Sequence, residues 1–288
     1  MILHNKEVFP KTIYCLTDGI AEEVKRPFFN IQIKLNGCNA NCEFCISKTG
    51  KKFNEDLFFD KLTEIREKAF IKRLNITGGE PTINFELYNR IVRKLRELLP
   101  ETFIVLNTNG YNFEKVFESD SHKYLNNIQL SRHHYIDEIN NKILGFKSVP
   151  RELIKKINED LEHKFLNLSC NLIKGYIDKD EEVYKYLDDA SDLDIRWVGF
   201  VSLIPLNDFC KENYIDFESL NLTNKRLILM QSHCLNDTCK CADYLYVPND
   251  LSFPIKVYNK IIKKSNVKHI LVFDGENFNV GFDGELLA

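Results

Sequence analysis

No run of about 18 apolar residues occurs in the 288-residue sequence, so no stretch of it is long enough to cross a bilayer as a helix. The N-terminal Met1-Ile2-Leu3-His4-Asn5-Lys6-Glu7 lacks the uninterrupted apolar core of a secretory signal. These two absences predict a soluble, cytoplasmic protein without a membrane partner. An excess of charge of either sign is also missing: 39 basic against 42 acidic side chains leave a net charge of −3. Such a balance argues against binding by neutralisation of a phosphate backbone, and nucleic acid is set aside as a partner. There is no repeat of fixed period, no low-complexity segment and no Pro- or Ser-rich linker.

Core-forming material, by contrast, is plentiful. Apolar residues make up 44% of the chain and aromatics 12%, with 21 Phe and 12 Tyr, enough for a packed globule. There are nine cysteines. In a reducing compartment clustered thiols serve as ligands or catalysts rather than crosslinks, so their positions matter.

Apolar, β-branched runs alternate with longer amphipathic segments, the pattern of βα units feeding a parallel sheet. Six strands are predicted: Phe28 to Leu35, Arg73 to Thr77, Phe103 to Thr108, Asn127 to Ser131, Phe165 to Cys170 and Ile195 to Leu203. Helices are expected over Asp56 to Phe70 and Phe85 to Leu99, the second stopped by Pro100. Beyond Pro205 the alternation breaks down into a cysteine-bearing stretch, a helix-like segment around Ile255 to Ser265, and turn signals at Asp274-Gly275 and Asp283-Gly284. The expectation is an α/β fold: a partial (β/α)6 barrel of the TIM type over residues 28–203, an N-terminal segment over 1–27, and a small cysteine-containing C-terminal extension over 204–288. Functional loops should follow the C-terminal ends of the strands.

Directly after the first strand, Cys38, Cys42 and Cys45 stand at a C-x3-C-x2-C spacing. So short a loop can turn all three sulfurs toward one point, and thiolate is the ligand that both zinc and iron-sulfur clusters select. Structural zinc takes four protein ligands; a lone trio leaves a coordination position open. An iron with such an opening can bind the amino and carboxylate groups of a methionine moiety and hold its sulfonium close by. A zinc knuckle and three unrelated buried cysteines are the alternatives on spacing alone.

The next strand ends in Gly78-Gly79-Glu80-Pro81, where two glycines allow close backbone approach and a carboxylate can pair with an amine. Taken together, cysteine loop and glycine turn resemble the signature of the radical S-adenosylmethionine (SAM) superfamily. That resemblance implies a 4Fe-4S cluster on Cys38, Cys42 and Cys45 and SAM as the second cofactor. Such an enzyme cleaves SAM reductively to a 5'-deoxyadenosyl radical, with a flavodoxin- or ferredoxin-type electron donor, and modifies a peptide or small-molecule substrate. It further implies that Phe44 lies near the adenine, that Gly78, Gly79 and Glu80 bind SAM, with Glu80 on its amino group, and that Thr108 and Asn109 line the pocket. Ser131 stands where relatives place a Ser that contacts SAM, although Arg132-His133-His134-Tyr135 departs from the Ser-Leu-Asp pattern common there and draws attention to the two histidines. Asn171-Leu172-Ile173-Lys174-Gly175 is similar to the family's Ile-x-Gly segment beside adenine.

Cys234, Cys239 and Cys241 form a second group within eight residues, and Cys210 upstream could complete a four-thiolate set. The set suits an auxiliary iron-sulfur cluster, with structural zinc as the competing reading and His233 as an alternative ligand. Its layout is similar to the single-cluster, twitch-like relative of the two-cluster SPASM extension. Cys15 and Cys170 read as core cysteines. Two further functional readings stay open. One is a cofactor-biosynthesis enzyme resembling the GTP cyclases of molybdenum-cofactor synthesis, although their double-glycine tail is replaced by Gly284-Glu285-Leu286-Leu287-Ala288. The other is a non-catalytic zinc or iron-sulfur binding protein.

Overall fold

Strand β1 (Glu23–Leu35) shows why a sheet forms here: Phe29, Ile31, Ile33 and Leu35, on one side of the pleat, are all buried. Each of the next five strands follows a helical crossover and pairs in parallel with its predecessor. They are β2 (Phe70–Gly78), β3 (Phe103–Thr108), β4 (Asn127–Ser131), β5 (Leu166–Leu172) and β6 (Trp197–Ser202). The computed structural model describes residues 2–3, 6–7, 11–13, 23–45, 51–220, 222, 226–232, 242–249, 253–260 and 270–280. Among these, short strands Ile2–Leu3 and Lys6–Glu7 pair with each other, and Lys11–Ile13 lies against β1.

The helices cover the sheet with one apolar face each. In α1 (Glu55–Lys68) the buried residues Phe58, Phe59, Leu62 and Ile65 recur every three or four positions, and Asn54 caps the start by accepting from the Leu57 amide at 3.2 Å. In α2 (Phe85–Leu98) Tyr88, Ile91, Val92 and Leu95 do the same, and Asn84 accepts from Leu87. Crossovers α3 (Phe113–Glu118), α4 (Asp137–Leu144), α5 (Arg151–Asp160) and α6 (Asp180–Asp192) complete the layer. After β6 comes the short α7 (Asp208–Glu212).

Beyond residue 204 the sheet continues. Strands β7 (Leu227–Ser232), β8 (Ala242–Tyr246) and β9 (Ile255–Lys260) form an antiparallel meander, and β9 pairs in parallel with β6. At the other edge β10 (Ile270–Phe273) runs parallel to β1 and turns back into β11 (Phe278–Val280) through Asp274-Gly275. The sheet thus runs β7-β8-β9-β6-β5-β4-β3-β2-β1-β10-β11, and its central strands, β9 to β10, are all parallel. The helix expected from Ile255 is corrected: Ile255–Lys260 is a strand, because Ile255 and Val257 bury one side between β6 and β8.

Sheet curvature is recorded in one contact. Tyr258 of β9 pairs with Gly199 of β6, yet its hydroxyl accepts from the Gln129 amide on β4. Three strand spacings separate β9 from β4, about 14 Å along a sheet at roughly 4.8 Å per strand, so the sheet must curl to close that contact. Gly199 makes room, since a Cβ there would lie 2.1 Å from the Tyr258 ring. Among the described residues no helix is long and apolar enough to cross a membrane.

Candidate active site

Parallel pairing places the C-terminal ends of β1 to β4 side by side, and with them the residues singled out in the sequence. Leu35 pairs with Gly78, and Thr108 with Leu130 beside Ser131. Two hydrogen bonds lock the cysteine loop to the glycine turn: Gly79 N donates to Leu35 O at 3.2 Å and Glu80 N to Gly37 O at 2.7 Å. The fit leaves no space for side chains. A Cβ on Gly78, whose φ is +134°, would lie 2.1 Å from Leu35 O, and one on Gly79 would lie 2.0 Å from Gly37 O and 2.9 Å from the Cys38 Cβ.

Within the loop, Cys38 is exposed and Cys42 and Cys45 are half-buried. The loop is held from two sides. At the end of α4, Leu144 O accepts from Asn41 N at 3.1 Å and from the Cys42 thiol at 3.6 Å. From α7, Asn207 Nδ2 donates to Glu43 O at 3.1 Å, and the Cys210 thiol donates to Phe44 O at 3.4 Å. Cys210 is fully buried, and burial pushes its thiol up.

Glu80 is fully buried at the base of the turn. Its Oε1 accepts from Thr82 N at 2.9 Å, Thr82 Oγ1 at 2.6 Å and Thr108 Oγ1 at 2.8 Å, and its Oε2 accepts from Asn109 N at 2.6 Å. Burial pushes the carboxyl up from its usual range, and these donors oppose the rise. Two of the four bonds, from Thr108 and Asn109, tie the turn after β2 to the end of β3 through one carboxylate. Thr82 was not singled out by its sequence; the cue was its place two residues after Glu80, where a hydroxyl can turn back onto the carboxylate.

Ser131 ends β4, half-buried. The residues after it point in two directions. Arg132, 1% exposed, reaches Asp137 at 2.8 Å and Tyr135 O at 2.8 Å. His133 instead meets the cysteine loop: its ring stands edge-on to Phe44 with centroids 4.9 Å apart. Nδ1 of His133 accepts from Asn171 N at 3.0 Å, so the proton of the neutral ring sits on Nε2, and burial lowers the ring to about 3. His134 is buried against Tyr135 at 4.4 Å. Phe44 packs with Ile143, Ile173, Leu203 and Cys210 in a small apolar cluster separate from the main core. Ile173 of the Asn171–Gly175 segment is thus beside Phe44. Cys170 is buried within β5; Cys15, His233, Cys234, Cys239 and Cys241 lie outside the described residues.

Comparisons with known proteins bear on this rim. A family model for the 4Fe-4S single cluster domain matches residues 29–142, the segment that carries the cysteine loop, the glycine turn and Asn109. The comparisons support a likeness to the radical SAM superfamily. Two relatives illustrate the breadth of that likeness. A protein of Methanocaldococcus jannaschii described as a glycyl-radical enzyme activating enzyme is 28% identical over 57% of this chain and 65% of its own length. The GTP 3',8-cyclase of Staphylococcus aureus is 25% identical over 76% of this chain and 66% of its own length. The chain therefore spans just under two thirds of either relative. Among solved structures, Streptococcus suis SuiB shares the fold at a TM-score of 0.51 and 16% identity, over 63% of this chain and 41% of SuiB.

The three thiols fit the superfamily's cluster. Among the described residues no three His, Cys, Asp or Glu side chains converge closely enough to hold one metal ion. Sulfurs around a single zinc sit roughly 4 Å apart. The thiols nevertheless feel one another: burial, then Cys45 and Cys38, push Cys42 up to about 12, and Cys38 is raised by burial with Glu80 and Cys45 adding. An all-thiol loop suits an iron-sulfur cluster, in which each sulfur ligates a different iron.

Proposed function

We propose that this chain is a radical SAM enzyme that cleaves SAM reductively and acts on a substrate held at the rim of the curled sheet. One observation carries the reading: the cysteine loop and the Gly78-Gly79 turn are in backbone contact too close for any side chain between them. When bound, the 4Fe-4S cluster on Cys38, Cys42 and Cys45 supplies one electron to the sulfonium of SAM, giving methionine and a 5'-deoxyadenosyl radical.

The chain's own residues bind, orient and shield. Gly78 and Gly79 bring the backbone against the ligand, and Glu80, Thr108, Asn109 and Ser131 surround it with polar groups at the ends of β2 to β4. Phe44, backed by Ile173 and Leu203, gives the adenine an apolar wall and excludes water. Residues 204–288 would carry an auxiliary iron-sulfur site on Cys234, Cys239 and Cys241; Cys210, buried against Phe44, would join only by leaving that contact. A peptide is the substrate class we favour, because SuiB was solved with its precursor peptide SuiA. A cyclase-like reaction is the second reading, favoured by the coverage of the GTP 3',8-cyclase match.

Anaerobically reconstituted protein given dithionite and SAM should form 5'-deoxyadenosine, and Cys42→Ala should abolish it. Undiminished product from that variant, or none from the wild type, would reject the reading.

A further inference from the structure

The three cysteine sulfurs differ in their hydrogen bonds. Among the described residues Cys38 Sγ accepts from two N–H groups, Ala40 N at 3.4 Å and Asn109 Nδ2 at 3.8 Å. Cys42 donates to a carbonyl instead, and Cys45 has no such donor among the described residues. Asn109 comes from a different strand than the loop, and its carboxamide is held in one orientation. Its Oδ1 accepts from Tyr111 N at 3.0 Å, which turns Nδ2 toward the loop, where it also donates to Asn39 Oδ1 at 3.0 Å. Its own amide N is fixed by Glu80 Oε2 at 2.6 Å. The residue is 9% exposed, so its dipole is little screened by water.

We propose that Asn109 is a positioning residue that sets the reduction potential of the cluster by donating its side-chain N–H to Cys38 Sγ. The proposal rests on the reading that Cys38, Cys42 and Cys45 hold that cluster. The physics is direct. Reduction adds one negative charge, part of which resides on the cysteine sulfurs, and a donor aimed at a sulfur stabilises the reduced form more than the oxidised one. Loss of the donor lowers the potential. A carboxylate in the same place, presenting negative charge to the sulfur, lowers it further. Ala40 N, a backbone group, stays in every variant, so the comparison isolates one donor.

Potentiometric titration of the reconstituted full-length protein, followed by the paramagnetic signal of the reduced cluster, tests this. Asn109→Leu should lower the midpoint, so that at the wild-type midpoint the reduced-to-oxidised ratio falls several-fold; tenfold corresponds to 59 mV for one electron. Asn109→Asp should lower it more. If Leu blocks cluster insertion, Asn109→Asp, which keeps the side chain's size, is decisive alone. An unchanged or raised midpoint in the variants that load overturns the proposal without bearing on the proposed function. Wild-type protein that takes up no cluster overturns the proposed function as well.

Discussion

The imidazole of His133 is 3% exposed and locked as a neutral ring by Asn171 N, a state with a measurable cost in acid. An unfolded chain lets that ring protonate near 6.5, whereas the folded protein resists until about 3. Because the folded-state value is depressed, the neutral ring's contribution is fully present above about 6.5 and is lost as pH falls toward 3. Urea unfolding of the cluster-free protein should therefore lose about 1.4 kcal/mol per pH unit through this residue, over and above the carboxylates. In His133→Gln that component should vanish; identical pH slopes in the two proteins would contradict the assignment.

At this scale the residues brought together at the rim were largely those that stood out in the sequence. The cysteines and the glycines announce themselves by their chemistry: clustered thiols suit iron, and a Cβ on Gly79 would lie 2.0 Å from Gly37 O. Asn207, Leu144 and Thr82 were not legible. Asn207 and Leu144 act through backbone contacts with a loop distant in the chain, which no local pattern marks, and Thr82 was marked only by its place two residues after Glu80. His133 was visible only as an anomaly, where a histidine follows β4 instead of an acidic residue.

Among the elements, α7 is short but well placed. Asn207 Oδ1 caps it by accepting from Cys210 N at 2.7 Å, while Nδ2 reaches Glu43 O, so one side chain begins the helix and steadies the loop between Cys42 and Cys45. Asn207→Ala should cost about 1 kcal/mol of stability, the usual worth of a side-chain cap. It should also speed iron loss to a chelator, because the loop loses one of its two hydrogen bonds from α7. Wild-type rates of iron release would show that α4 and Cys210 hold the loop without Asn207.

Periodicity revealed the elements unevenly. Residues Phe103–Thr108 and Asn127–Ser131 are strands over the whole predicted ranges, because short β-branched runs between turns have few alternatives. Ile255–Lys260 was misread as helical: Ile255 and Tyr258 fall at helical spacing, and Ile255 and Val257 equally fit alternation. Pairing with β6 and β8, long-range contacts absent from the local sequence, decided between them.

For the whole molecule, six predicted strands became a run of parallel strands reaching from β9 to β10. The two added edges come from the region where regular alternation had broken down, so a count of βα units could not find them. Curvature was equally hidden; it shows in Tyr258 of β9 touching Gln129 of β4 across the concave side. What the curled sheet achieves is to gather four loop ends on one rim, with Phe44, His133 and Asn109 around three thiols.

That gathering matters only if SAM joins the cluster through the iron that no cysteine holds. The most direct check is the electron paramagnetic resonance spectrum of the anaerobically reduced, reconstituted protein before and after SAM is added. The account predicts an altered spectrum as the amino and carboxylate groups of SAM's methionine moiety bind that iron, and no such response in Cys45→Ala. A wild-type spectrum that stays the same at saturating SAM would contradict it.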